Sequence, residues 1–383
     1  MPPRERLLTV PFGLAFAASF LSGLAYMTFL HLPGYLHELG ATESAIGVIV
    51  GAASVTAIGV RPFVGRLMDM HGRRVALIGG AVLNLIACLL YLTVDRIGPW
   101  IFFVRAVHGV AEALMFSVTF TIAADIVPVS RRTEGIALFG ISGMLPVSLG
   151  GLLGDAVLAH GTYQDLFAVI AVIAVGGLVA SLPIRDSRPA PDSDGPARGF
   201  VSSVLEPHFL PVWLIGFGFA FTVASYFTFL KTYVIETGVG SVGLFFTAYS
   251  LAAVILRLLF GWVPDRFGLK GTLFPALLLT AAGAILLAQA DTAATMAVAG
   301  VLCGAGHGYA FPIISALVVN RARSAERGAA VTAFTALFDV GLLIGSPALG
   351  AVAERWSHSV MFTIAAAVLV LAMLVFAVWD RNR

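Results

Sequence analysis

The chain has 383 residues, of which 59% are hydrophobic and only 11% are Asp, Glu, Lys or Arg. A soluble protein carries about 25% charged residues, so a water-exposed globular enzyme is excluded. Disorder is excluded as well, because it needs low hydrophobicity and high charge. A net charge of only +2 points to no nucleic-acid partner.

The predicted elements are apolar runs separated by charges, proline and glycine. In chain order they cover 9–36, 43–68, 74–94, 98–124, 135–158 and 165–184, then 209–235, 242–264, 271–290, 294–319, 327–353 and 359–379. We number them spans 1 to 12. Each reaches the length needed to cross a bilayer, about 20 residues at 1.5 Å rise. The apolar run after MPPRERLLTV continues without a small-residue cleavage site, so it reads as span 1 and not as a removed signal peptide. Cys88 and Cys303 both lie inside apolar runs, which argues against a disulfide.

Alternate loops divide the basic residues unequally. With both termini in the cytoplasm, seventeen of the 23 Lys and Arg residues face that side and only Arg96 and Arg355 face the other. The positive-inside rule then sets the orientation and supports an even span number. Arg61, Arg105, Lys231 and Arg257 fall within spans. The stretch RDSRPAPDSDGPARG, residues 185–199, reads as part of a flexible cytoplasmic linker. The expected organisation is a six-helix bundle over 1–184, a linker over 185–207 and a second six-helix bundle over 208–383.

The two halves repeat. Ser54, Arg61, Gly65, Asp69 and Gly72 recur 196 residues later as Ser250, Arg257, Gly261, Asp265 and Gly268. Leu32, Tyr35, Glu38 and Gly40 recur at an offset of 198, and His108-Gly109 recurs as His307-Gly308 at 199. Parallel six-span halves with a substrate site between them are one known transporter plan.

On these residues the chain resembles the major facilitator superfamily over essentially its whole length. The sharpest motif is the loop after span 2, with Gly65, Leu67, Asp69, Gly72, Arg73 and Arg74. Its second copy holds Gly261, Asp265, Arg266, Gly268 and Lys270. The family's basic residue after the Asp is replaced by Met70 in the first copy and kept as Arg266 in the second. The resemblance implies the major facilitator fold: an all-α membrane protein of twelve transmembrane helices in two pseudo-symmetric six-helix bundles. It also implies that the loop motif is a gate latch, with Gly65 and Gly261 allowing close helix approach. Its bland alternative is a charged turn that fixes topology. Arg105 and Gly109 in span 4, with Arg131, Arg132, Glu134 and Gly135 after it, are similar to bacterial sugar-efflux and drug-efflux permeases. The span 5 antiporter pattern is altered, since three residues separate Pro146 from Gly150-Gly151.

Ionisable residues inside a membrane are expensive and are functional candidates by default. Span 4 places Arg105, His108 and Glu112 on one helical face. Glu112 lies too far along the axis from Arg105 for a direct pair, which calls for another partner. Asp339 in span 11 is the other buried acid, and His307 in span 10 mirrors His108. Lys231 near the outer end of span 7 suits an anionic substrate or Glu236, with snorkelling as its bland alternative. These six are the proton-coupling and substrate candidates. Tyr26, Phe29, Phe116, Phe120, Tyr226, Tyr309 and Phe311 are candidates for an aromatic cavity wall, against the alternative of lipid-facing rings. The gating candidates are Gly65, Asp69, Gly72, Arg73, Gly261, Asp265, Arg266 and Gly268.

The expected function is secondary active transport of a small amphipathic organic molecule by alternating access, as proton-coupled export. The alternatives are proton-coupled uptake of an organic anion and export of a metallophore or lipid-like substrate. No zinc-protease, nucleophile-elbow or phosphate-loop motif is present, which argues against an enzyme and against an ATP-driven pump. No cofactor or metal site is expected. The expected partners are the substrate, protons and membrane lipids, with the chain functional as a monomer. The expected location is the cytoplasmic (inner) membrane of a bacterium, multi-pass, with both termini cytoplasmic.

Overall fold

The computed structural model describes residues 6–128, 131–186, 206–322 and 327–380. The side chains of Asp69, Arg132, Thr133, Ala137 and 327–329 lie outside that description. Among the described residues every element is helical, and twelve helices are long and apolar enough to cross a membrane. In chain order spans 1 to 6 are Val10–Glu38, Glu43–Met68, Arg73–Tyr91, Pro99–Ile126, Glu134–Leu158 and Tyr163–Ser181. Spans 7 to 12 are Leu210–Thr237, Val242–Phe260, Leu269–Ala288, Ala293–Arg321, Ala330–Arg355 and His358–Trp379.

The ends follow from short polar residues and glycine. Thr162 and Thr292 start spans 6 and 10 with capping boxes, and Ser241 and Ser357 cap spans 8 and 12 through their hydroxyls. Gly238 closes span 7 at φ +67°, a conformation that favours glycine. Span 1 is broken by a 3-10 turn at Phe29–His31. Pro33 lacks the N–H that would continue the α ladder there. Span 8 ends at Phe260 and the short helix Val263–Phe267 follows, with Pro264 inside it.

The chain divides into two compact units. One holds Met1–Phe29 and Thr56–Asp192, and the other holds Leu30–Val55 and Ser193–Arg383. In the first, Phe12, Phe139, Leu77, Leu114 and Val118 build an apolar core with the small residues Ala15, Ala18, Ala76 and Ala81. Phe139 meets the rings of Phe12 and Phe16 edge-on at 6.2 and 6.4 Å. A Cβ on Gly150 would stand 2.7 Å from the backbone of Met27, so span 5 touches span 1 backbone to backbone.

The second unit uses the same device more heavily. Gly300, Gly304 and Gly308 line one face of span 10, and a Cβ on each would press on Phe245, Tyr249 and Ala253 of span 8. At Gly304 the added atom would collide with the Tyr249 backbone, which has no side chain to move away. Gly304→Ala is therefore expected to destabilise the protein by about 1–3 kcal/mol, the usual cost of overpacking. A thermal-unfolding curve no lower than the parent's would refute this packing account.

Candidate functional site

Span 4 buries Arg105 and His108, at 5% and 0% exposure, and leaves Glu112 half-buried. Arg105 finds its partner on span 3. Its Nη1 donates to the Tyr91 hydroxyl at 3.2 Å, and the same hydroxyl lies 3.2 Å from His108 Nδ1. Arginine can only donate, so the hydroxyl accepts there, and its own proton remains available to Nδ1. A neutral imidazole that accepts at Nδ1 carries its proton on Nε2. That Nε2 is buried and meets no hydrogen-bond partner among the described residues.

Aromatic rings enclose this nest. Tyr26 and Phe29 meet the His108 ring edge-on at 5.1 and 4.7 Å, and Phe29 lies 4.3 Å from the Tyr91 ring. Phe167 of span 6 closes it behind Tyr91 at 5.5 Å. Glu112 and Tyr26 both lie within electrostatic reach of the Arg105 guanidinium. Tyr91 was not legible as a site residue. It ends an apolar run, and only the packing of span 3 on span 4 gives it two charged or polar neighbours.

Tyr91→Phe keeps the ring and removes the hydroxyl. A hydrogen bond to a charged group contributes about 1.5–3 kcal/mol, so transport is expected to fall roughly 10- to 100-fold. Initial rates at matched expression test this, and an unchanged rate would remove Tyr91 from the site.

The second unit holds a related nest around His307. The Tyr249 hydroxyl of span 8 is hydrogen-bonded to His307 Nδ1. Phe219 meets the His307 ring edge-on at 5.1 Å, and Phe311 stacks on it at 5.9 Å. Tyr226 lies 5.9 Å from Tyr249. The repeat thus preserves the histidines but not their tyrosines, which come from span 3 in one unit and span 8 in the other. The place of Arg105 is taken by Gly304, where the close span 8 contact leaves no room for a side chain. Arg257 instead enters from span 8 and donates from Nε to the Gly308 carbonyl at 3.1 Å.

The remaining candidates are spread out. Asp339 is buried in span 11 at 4% exposure. Beside it, Phe338 meets Phe311 and Gly341 packs on Ala220 of span 7. Lys231 is half-buried on span 7. Phe116 and Phe120 stack on each other, with 49% and 45% of their surface exposed, and Arg61 lies over Phe116 at 6.0 Å. Tyr309 donates to the Phe260 carbonyl at 2.8 Å. Of the aromatic candidates, only Tyr26 and Phe29 join His108, and Tyr226 and Phe311 lie around His307.

The loop motif forms a matched pair of charged anchors. Gly72 and Gly268 take positive φ, +90° and +79°, and precede the first helical residue of spans 3 and 9. Arg73 Nε meets Asp125 at the end of span 4 at 3.1 Å. The Arg74 amide donates to Asp186 at 3.2 Å, and its guanidinium donates to the carbonyls of Ile184 and Leu182. In the second unit Lys270 and Arg321 converge on Asp380, at 2.9 and 2.5 Å. Asp186 therefore belongs to the fold of the first unit, although it falls in the stretch read as linker; residues 187–205 lie outside the described residues. A Cβ on Gly65 would meet no described atom of its own unit within 4 Å. Asp265 and Arg266 are exposed, with Arg266 over the rings of Trp262 and Phe267. The Asp69 side chain lies outside the described residues.

These features define a transporter fold, and the chain belongs to the Major Facilitator Superfamily, whose profile matches residues 12–241 and 236–383. It is similar to the staphylopine export protein of Staphylococcus aureus, 23% identical over 356 residues that cover 88% of each chain. In fold it is similar to a human organic anion transporter, at 17% identity and a TM-score of 0.72, covering 97% of this chain and 100% of the other. It is also similar to a POT family transporter solved with 5-aminolevulinic acid, at 14% identity and a TM-score of 0.81, covering 97% and 96%. The protein is a multi-pass membrane transporter and not an enzyme.

Proposed function

We propose that the protein exports a small amphipathic organic molecule across the cytoplasmic membrane of a bacterium in exchange for protons. Both termini face the cytoplasm in this reading, because the basic residues crowd that side. The observation that carries it is the Arg105–Tyr91–His108 nest in span 4, with Glu112 one turn beyond. The nest offers the buried Nε2 of His108 to a polar ligand group within an aromatic enclosure. Glu112 is the group that loads and releases the proton, and Asp339 and His307 are its counterparts in the second unit. The Arg73–Asp125 and Lys270–Asp380 pairs hold the cytoplasmic ends and gate that side. A relative described as an export protein supports the direction. Proton and substrate can drive each other only if each binds one state of the cycle better than the other.

The test begins with a thermal-shift screen of amphipathic cations, anions and zwitterions on the purified protein, because a binder of the native state stabilises it. Binders then go into proteoliposomes that enclose a pH-sensitive dye. Substrate-dependent collapse of an imposed pH gradient is expected. Transport of the same compound with no proton movement would overturn proton coupling.

A further inference from the structure

At the end of the second unit that this orientation makes outer, three helices hold a histidine between two carboxylates. His358 opens span 12 and is 5% exposed. Its Nδ1 is hydrogen-bonded to the Glu236 carboxylate at the end of span 7. Its Nε2 lies 3.0 Å from Thr232 Oγ1 and 3.6 Å from Glu43 Oε2. Thr232 Oγ1 in turn lies 3.1 Å from Glu43 Oε2. Glu43 is the first residue of span 2 and belongs to the segment Leu30–Val55.

The arrangement of charges in this cluster favours the imidazolium. An ionised carboxylate can only accept, so the Nδ1 contact with Glu236 needs a proton on Nδ1. The Thr232 hydroxyl has one proton and three acceptors in reach: Glu43, the Phe229 carbonyl at 3.1 Å and, in the neutral ring, His358 Nε2. A neutral imidazole protonated on Nδ1 donates to Glu236 and takes the Thr232 proton at Nε2 only at the expense of the Thr232 bond to Glu43. The imidazolium has two N–H groups and serves both sides. Removing its proton takes away the positive charge that lies between the two carboxylates.

Other polar and charged groups flank the cluster. Tyr233 lies 5.9 Å from the His358 ring, and its hydroxyl donates to the Ala290 carbonyl. Asp291 adds negative charge beside Tyr233. Glu354 at the end of span 11 accepts from the Ser44 amide at 3.0 Å. Lys231 precedes Thr232 on span 7, and Arg355 lies against Trp356. The segment is otherwise held by close packing: Cβ atoms on Gly47 and Gly350 would collide with the backbones of Ser346 and Glu43.

We propose that His358 is a proton-operated latch: protonated, it ties Glu43 and the segment 30–55 to spans 7 and 12, and deprotonated, it frees them. The switch stands on this geometry alone. Its place in a transport cycle, where outer protons would fasten the segment and alkaline conditions release it, rests on the orientation proposed above.

The test needs neither substrate nor orientation. Cys88 and Cys303 are fully buried, so one introduced cysteine reports on its own position. Ile46→Cys places it at a 0% exposed site in the segment, and Val48→Cys supplies a reference that is 45% exposed. Maleimide labelling of each is measured on purified full-length protein between about pH 5.5 and 8.5, the range in which a histidine titrates. The ratio of the first rate to the second is expected to rise about tenfold or more as the pH increases. With His358→Gln added, the ratio should be high and flat. With Glu236→Gln added, the rise should shift to lower pH, and this 57% exposed position tests the latch if the His358 variant does not fold. A flat parent ratio, a rise that survives His358→Gln, or an unmoved rise in Glu236→Gln would overturn the latch. Failure of proton-driven transport with the pH-dependent ratio intact would overturn the export reading and leave the latch standing.

Discussion

Proteoliposomes carrying the Glu112→Gln protein are expected to show no substrate accumulation under an imposed pH gradient. The protein should nevertheless fold and purify as the parent does. Glutamine keeps the length and one acceptor oxygen of glutamate but cannot exchange a proton. Glu112 is half-buried on span 4, so the swap creates neither a cavity nor an unpaired charge of the deep-core kind. What it removes is a titrating group within electrostatic reach of Arg105. If Glu112 carries the coupling proton, the variant cycles without it: gradient-driven flux is lost, while exchange of labelled for unlabelled substrate at equal pH persists. Normal gradient-driven flux would sink the assignment. Loss of coupling in Asp339→Asn but not in Glu112→Gln would move the proton site to span 11.

The spans were legible because the bilayer imposes a length and an apolar composition that no other element satisfies. Pro33 marks the one irregularity of span 1, and its effect was local and chemical. The nests were legible by half. Arg105 and His108 stand out because charge in a membrane run is rare, whereas Tyr91 is ordinary until span 3 is packed on span 4. The same limit applies to His358, Glu236 and Glu43. Each sits at a span end, where a polar residue needs no explanation, and their meeting depends on three helices whose adjacency no single segment states. Asp186 and Asp380 went unread for a third reason. Each follows the sixth span of its half beside arginines, which resembles a solvated tail. Yet each accepts a bond from the second residue after the loop-motif glycine, the Arg74 amide in one half and the Lys270 ammonium in the other.

Those two aspartates make the last prediction a matched one. Asp380→Ala is expected to lower stability by about 3 kcal/mol, the low end for breaking a buried ion pair from one side. Its side chain is 1% exposed and receives Lys270 and Arg321, whose side chains are 31% and 14% exposed. Alanine leaves both cations held at a protein interior with no acid between them. Arg321 keeps its bond to the His208 carbonyl, and Lys270 can still reach water, which is why the loss should not be larger. Asp186, its counterpart, is exposed and bonds the Arg74 amide, while the Arg74 guanidinium is satisfied by backbone carbonyls. Asp186→Ala should therefore shift thermal unfolding much less. If the loss at Asp380 is a stranded-charge effect, Asp380→Ala with Lys270→Met and Arg321→Met should recover most of it, because the desolvated cations go with their partner. Equal shifts for the two alanine variants, or no recovery in the triple variant, would show that burial does not set the strength of these anchors.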